Sequence, residues 1–320
     1  MLTQKSAFHH LDLSIFLHFI GRGLYAIFVP IILLKNNYSL SYVLLYLILS
    51  ALVVVITSYA AQKFFFHKRA IIFNIAAVIA EIVLMLAFSV EQYSPIIFIL
   101  IFVCEGLYCG FYYFSYYAVI SHFTSQRAAG RNIGNANIAI NVAWTIAPFL
   151  GAILLGLNSL YLISIAVFFL FLSLVPMLSL TAVDINGADL PVMKLRDVAI
   201  ELLEYGLLSA IEIVVFTLWA IYSFQSGASL AMISTIAIGS GLANILISEE
   251  IKKTTAKLAI RKKLKLFAIF FISALSLYRF LYSEQVLLTN LLFGIAYLIF
   301  GLCIETELLM KVKGFQTYHS

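Results

Sequence analysis

Seven kinds of side chain in this sequence could do chemistry where water is scarce. Arg22 shares a helical stripe with His18 and Tyr25, at i−4 and i+3. Glu105 heads a second stripe with Tyr108, Tyr112 and Ser115, and Glu81 stands alone in an apolar run. Glu201, Glu204 and Glu212 lie on one further segment, with Trp219 along the same face, and Asn137 and Asn141 sit one turn apart. A carboxylate in such surroundings can bind a cation or exchange a proton, and a neighbouring arginine tunes which it does. The alternative is a structural ion pair of Arg22 with Glu105 or Glu81 that touches no ligand. His18 reads first as a satisfied packing residue and only second as a proton relay. The YCGFYYFSYY run, Tyr108 to Tyr117, could line a pocket for aromatic or cationic ligands or form an interfacial aromatic belt.

The elements that must carry these residues are apolar helices. The chain is 63% hydrophobic and 11% charged, with a mean hydropathy of +1.04, far from the composition of a soluble domain. Ten segments are long and apolar enough to span a bilayer: Leu13–Leu34, Leu40–Ala61, Ala70–Val90, Pro95–Ile120, Ile133–Leu155, Ser159–Leu180, Val198–Tyr222, Leu230–Ile247, Leu264–Tyr282 and Val286–Glu305. The short alternating segments of a β-barrel are absent. The first stretch is too long for a signal-peptide core and lacks a small-residue cleavage site, so it reads as a retained helix. Cys104, Cys109 and Cys303 all fall inside spans, which leaves no disulfide framework and no zinc spacing. The expected fold class is therefore an all-α, polytopic membrane protein, and the lipid bilayer is its first partner.

Basic residues set the sidedness. With the N-terminus inside and one crossing per span, seventeen of the twenty Lys and Arg fall on the cytoplasmic side. They include Lys63, Lys68 and Arg69, Arg127 and Arg131, Lys194 and Arg196, the run from Lys252 to Lys265, and Lys311 and Lys313. Lys35 lies in an outer loop, Arg279 near an outer helix end and Arg22 inside the first span. This is the asymmetry of the positive-inside rule, and it predicts cytoplasmic termini in a multi-pass protein of the plasma (cytoplasmic) membrane. Topology accounts for the basic run without a nucleic-acid partner.

The polar stretch DINGADLPVMKLRD, residues 184–197, reads as a linker, giving a six-helix N-terminal half (1–181), a cytoplasmic linker (182–197) and a C-terminal half with four helices (198–320). At an offset of 190 residues the halves echo each other. Ser39-Leu40 matches Ser229-Leu230, Ile31 matches Ile221, Ser58 matches Ser248 and Lys63 matches Lys253. On this alignment the second half stops after its fourth helix, as in a truncated reading frame or a departure from a twelve-helix plan. Parallel repeats of six helices are a carrier architecture.

With these segments in place, the sequence resembles the major facilitator superfamily. The stretch HFTSQRAAGRNIGNANIAINVAWTIAPFLGAI looks like that family's loop between helices four and five followed by helix five. Gly134, Ala143, Ala147, Pro148, Gly151 and Ala152 follow the spacing of its antiporter motif, with alanine for glycine at three places. The resemblance implies that this helix packs closely against the opposite half and gates one end of a pathway. Other motifs depart from the family. The loop that usually reads Gly-x3-Asp-Arg-x-Gly-Arg-Arg is here SYAAQKFFFHKR, without its acid, and Phe102 stands where antiporters carry an arginine four residues before a glycine.

The implied function is a secondary active permease for a small solute, as exporter or antiporter, with a coupled proton as a second partner and no cofactor. Arg22, Glu105, Glu212, Glu81, Asn137, Asn141, Tyr108 and Tyr112 are the expected solute or ion pathway. Two other classes remain open: a non-transporting receptor or scaffold on a carrier fold, and a membrane-embedded lipid-modifying enzyme. No nucleotide-binding Gly-rich loop and no HExxH spacing occurs, and the Glu249-Glu250 pair with distant Asp184 and Asp189 is sparse for metal chemistry, so an enzyme is not expected.

Overall fold

The structure is a computed structural model that describes residues 4–64, 70–90, 94–123, 129–179, 199–235, 237–239, 241–242, 245, 258–281 and 286–319. The expected linker and most of the basic loop residues lie outside the described residues. All regular structure among the described residues is helical: α1 (Gln4–Gly23), a 3-10 turn (Ala26–Phe28), α2 (Val29–Lys35), α3 (Leu40–Phe64), α4 (Ala70–Phe88), α5 (Pro95–Phe123), α6 (Ala129–Leu157), α7 (Ser159–Leu178), α8 (Ala199–Glu212), a π-helical segment (Ile213–Leu218), α9 (Trp219–Gln225), α10 (Leu230–Gly239), α11 (Leu258–Leu281) and α12 (Val286–His319). Among the described residues, six helical stretches are long and apolar enough to cross a membrane: His9–Lys35, Leu40–Ala61, Ile71–Phe88, Pro95–Ile120, Ala136–Leu157 and Ser159–Leu178.

The first span departs from the single helix its hydropathy predicts. Gly21 and Gly23 flank Arg22, and glycine weakens helix continuity. Pro30 has no N–H to give Ala26, whose carbonyl instead accepts from Val29. The chain tightens to compensate: Tyr25 N–H bonds Arg22 O at 3.1 Å and Phe28 N–H bonds Tyr25 O at 2.8 Å, each three residues back rather than four. The seventh predicted span, Val198–Tyr222, is likewise divided, into α8, the π-helical segment and α9.

These two interruptions belong to one repeated design. α2 and α9 begin and end 190 residues apart (29 to 219, 35 to 225), and α3 and α10 start at the same spacing (40 to 230). The turns that follow α2 and α9 have the same hydrogen bonds. Asn36 N–H to Ile32 O (2.9 Å), Asn37 to Leu34 (3.2 Å), Tyr38 to Leu33 (3.1 Å) and Val43 to Ser39 (3.1 Å) recur as Ser226 to Tyr222 (2.9 Å), Gly227 to Phe224 (3.0 Å), Ala228 to Ser223 (2.9 Å) and Ile233 to Ser229 (3.0 Å). The weak sequence echo is thus a repeated backbone.

The chain divides into two compact units, Met1–Phe123 with Ile153–Leu190, and Thr124–Ala152 with Pro191–Ser320. In the first, α4 and α3 both pack on α5, and α7 packs on α1 and α4. Gly21 lets α1 approach α7, since a Cβ there would lie 3.0 Å from Ala166 O, and Ser14 Oγ donates to Ser173 O at 2.8 Å. In the second, α11, α12 and α8 pack together around Ala268, Ile272, Phe293, Ala296 and Phe300. Lys265 of α11 bonds both carboxylate oxygens of Glu204 on α8, at 2.7 and 2.8 Å.

Candidate functional site

The packing of α5 decides where its polar stripe points. Gly106 and Gly110 dock against α3: a Cβ on Gly106 would overlap Val53, and one on Gly110 would lie 2.7 Å from Thr57 Cβ. Such close helix contact is what small residues permit in lipid, where packing rather than water exclusion drives association. With that face spent on α3, the stripe Glu105, Tyr108, Tyr112 and Ser115 is buried elsewhere in the unit. It meets His18 and Arg22 of α1 and Tyr25 of the turn that follows, and α4 contributes Glu81.

Arg22 is the hub. Its Nη2 donates to Glu105 Oε1 at 2.6 Å and its Nη1 to Glu105 Oε2 at 3.4 Å, a forked pair. The same Nη1 reaches Glu81 Oε1 at 3.3 Å and Tyr25 Oη at 3.1 Å. Tyr25 completes a triangle by donating to Glu81 Oε1 at 2.5 Å. The guanidinium carbon stands 4.3 Å from the centre of the Tyr108 ring, within cation–π range. Cys109 donates its thiol to Glu105 Oε1 at 3.5 Å. His18 lies stacked on Tyr112 with ring centres 4.0 Å apart, its Nε2 3.0 Å from Tyr108 Oη and 3.5 Å from Glu81 Oε2.

The cluster is largely buried and holds two acids for one guanidinium. Glu81 is fully buried, His18 is 1% exposed and Glu105 9%, while the Arg22 side chain retains 14%. Two carboxylates share one guanidinium, so with both acids ionised and His18 neutral the group would carry one negative charge in excess. Charge inside a bilayer costs several kcal/mol even in mild estimates, about 2.5–3.5 on insertion scales.

The remaining expected site residues are placed differently. Ala143, Ala147, Pro148, Gly151 and Ala152 are buried on one face of α6, whereas Ile146, Phe149, Leu150 and Ile153 are exposed. Pro148 sits inside an unbroken helix. The surroundings of Gly134 lie outside the described residues. Asn137 and Asn141 are half-buried on α6 and belong to the other compact unit from the Arg22 cluster. Glu212 ends α8 where the π-helical segment begins, and its side chain lies outside the described residues. Tyrosines of the aromatic run divide by face: Tyr108, Tyr112 and Tyr116 are buried, Tyr113 and Tyr117 are exposed.

Asn290 of α12 has no counterpart in the sequence reading. It is 1% exposed with neither amide atom hydrogen-bonded among the described residues, beside Gly239, where an added Cβ would meet Asn290 Cβ at 2.9 Å. A lone amide in an apolar helix (LTNLLFG) is the only sequence mark it carries.

No family model matches the sequence, and no curated protein matches it. Solved structures do match the fold. It is similar to a bacterial homologue of the iron transporter ferroportin in an outward-facing state with soaked iron, at a TM-score of 0.69 and 15% identity, covering 95% of this chain and 84% of that one. It is similar to a bacterial homologue of the human lysosomal transporter Spinster in an inward-facing, occupied conformation, at 0.62 and 15%, covering 95% and 74%. The human organic anion transporter MFSD10 (TETRAN) gives 0.60 and 16%, covering 97% and 86%. The chain thus shares the all-α fold of these solved structures, and six of its described helical stretches are long and apolar enough to cross a membrane.

Proposed function

We propose that this chain is a secondary active permease that moves a small cationic solute by alternating access, in exchange for a proton. The observation that carries the reading is the buried Arg22–Glu81–Glu105 group with its unbalanced negative charge. A purely structural ion pair is best balanced, whereas a site that alternates between two cations keeps one charge open for the occupant. The cargoes named for the structural neighbours, iron and organic anions, differ among themselves, so the fold does not choose the solute and the site must. An organic anion suits the cluster poorly, because Arg22 is already held by two carboxylates. The interruptions after Arg22 and after Glu212 support the reading, since broken helices are where carriers of several folds bind their cargo. The positive-inside pattern supports cytoplasmic termini, and the repeated backbone supports six helices followed by four.

The test is flux in proteoliposomes with an imposed pH gradient and a panel of labelled organic cations. Exchange should be seen in the wild type and abolished in Glu105→Gln and Arg22→Ala proteins that still elute as folded monodisperse species. Robust exchange in both variants would remove the cluster from the pathway. No movement of any solute by the wild type would favour a non-transporting scaffold on this fold.

A further inference from the structure

We infer that the exchangeable proton of this cluster is held between Glu81 and His18, while Glu105 and Arg22 form a fixed pair that positions it. The inference deepens the permease reading and rests on it for the proton's purpose, though not for its location.

The two carboxylates are not equivalent. Glu105 spends both oxygens on Arg22 and takes a further bond from Cys109. Glu81 spends one oxygen, Oε1, on Tyr25 and Arg22. Its other oxygen, Oε2, is buried with no hydrogen-bond partner among the described residues, and so is His18 Nδ1. Unmade bonds of this kind are costly in a sealed site, and these two lie on neighbouring groups: Glu81 Oε2 is 3.5 Å from His18 Nε2. One added proton supplies a positive charge and gives Oε2 a bond, while Nδ1 on the other side of the ring is untouched by it. On Glu81 Oε2 it turns an orphaned acceptor into a donor toward His18; on the imidazole it makes a cation beside the carboxylate. Passing between the two, the proton breaks an O–H bond at Oε2 as it forms an N–H bond at Nε2, and the Tyr108 hydroxyl, 3.0 Å from Nε2, then accepts from the ring.

Among the described residues, Arg22 faces the pair from α1, Tyr25 from the turn that follows it, and Glu105, Tyr108, Cys109 and Tyr112 from α5. Tyr46 of α3 lies near Arg22 and Glu105. α7, which packs on both α1 and α4, carries Tyr161 as its one ionisable residue, and that ring is exposed. Arg22 is already divided between two acids, and the tyrosines are neutral at ordinary pH. The charge the group lacks therefore has no source within the cluster other than a bound proton.

The test is pH-difference infrared spectroscopy of the lipid-reconstituted protein, which needs no known solute. The wild type should show a buried carboxyl or imidazolium band at neutral pH. That band should vanish in Glu81→Gln, and in Glu81→Asp, which keeps an acid if the glutamine variant misfolds, it should shift. It should stay in place in Glu105→Asp. His18→Phe should alter the band by removing the partner at Oε2. A band that follows Glu105→Asp, one unmoved by both Glu81 variants, or its absence from the wild type would each overturn the assignment. A band unmoved by His18→Phe would remove His18 from the site. If the band follows Glu81 while no solute moves in the flux assay, the permease reading fails and the proton site stands.

Discussion

Asn37 and Gly227 occupy the same step of a repeated turn, 190 residues apart, and both have left-handed backbone, at φ 65° and 86°. Each closes a seven-residue helix and starts the next one after the same four hydrogen bonds. Asparagine and glycine are the two residues that enter this region at least cost. The same requirement has thus been met by different residues in the two halves.

That equivalence makes a stability prediction. A Cβ on Gly227 would meet nothing within 4 Å, so Gly227→Ala introduces backbone strain alone, worth about 1–2 kcal/mol. Asn37→Gly should be neutral or slightly stabilising at the equivalent step. Thermal unfolding in detergent reads both; an unchanged midpoint for Gly227→Ala would mean that the left-handed turn is not kept in solution.

Part of this architecture was legible in the sequence. Hydropathy located the first six of its ten expected spans as long apolar helices, because a bilayer demands about 20 apolar residues whatever their neighbours. The offset echo was visible at Ser39 and Ser229, and the stripes through Arg22 and Glu105 followed from helical period alone. What hydropathy could not register were the interruptions at Leu24–Tyr25 and Ile213–Leu218, since a broken apolar helix has the same composition as an intact one. Nor could period assign Glu81 to the Arg22 cluster, because that meeting depends on how α4 and α1 pack. His18 was readable as packing or relay. In the fold it is stacked on Tyr112 and lies 3.5 Å from Glu81.

Glycine 106 tests the packing that aims the Glu105 stripe. Gly106→Ala forces a Cβ into Val53 and within 3.0 Å of Ser50 O. Overpacking of this kind costs about 1–3 kcal/mol. Gly156→Ala on α6 adds a Cβ with nothing within 4 Å and should be neutral or stabilising by about 0.4–1 kcal/mol. Matched unfolding curves for the two variants are the measurement, and equal effects would show that α3 and α5 are not in close contact at Gly106.

Sidedness is open to a direct check. An alkaline phosphatase fusion after Lys265 should be inactive and one after Lys35 active, because the first follows the basic run and the second an outer loop. The opposite pattern would invert the orientation and place the basic loops outside.

Arg22 and Glu105 give the last prediction. Removing Arg22 leaves two carboxylates buried without a counter-charge, and breaking a buried pair from one side costs about 3–5 kcal/mol. Arg22→Ala should therefore be strongly destabilised at neutral pH. Adding Glu105→Ala to it should recover part of the loss, because one of the stranded acids is gone. The double-mutant cycle should show a coupling on the order of 1–3 kcal/mol, the range for groups in one ionic network. Arg22→Lys should retain the charge yet lose the fork, since an ammonium cannot meet both oxygens of Glu105 in the plane of a guanidinium. It should fall between wild type and Arg22→Ala in stability. Additive effects of Arg22→Ala and Glu105→Ala would mean that the two residues do not act as a pair, and Glu81 would then be the acid that depends on Arg22.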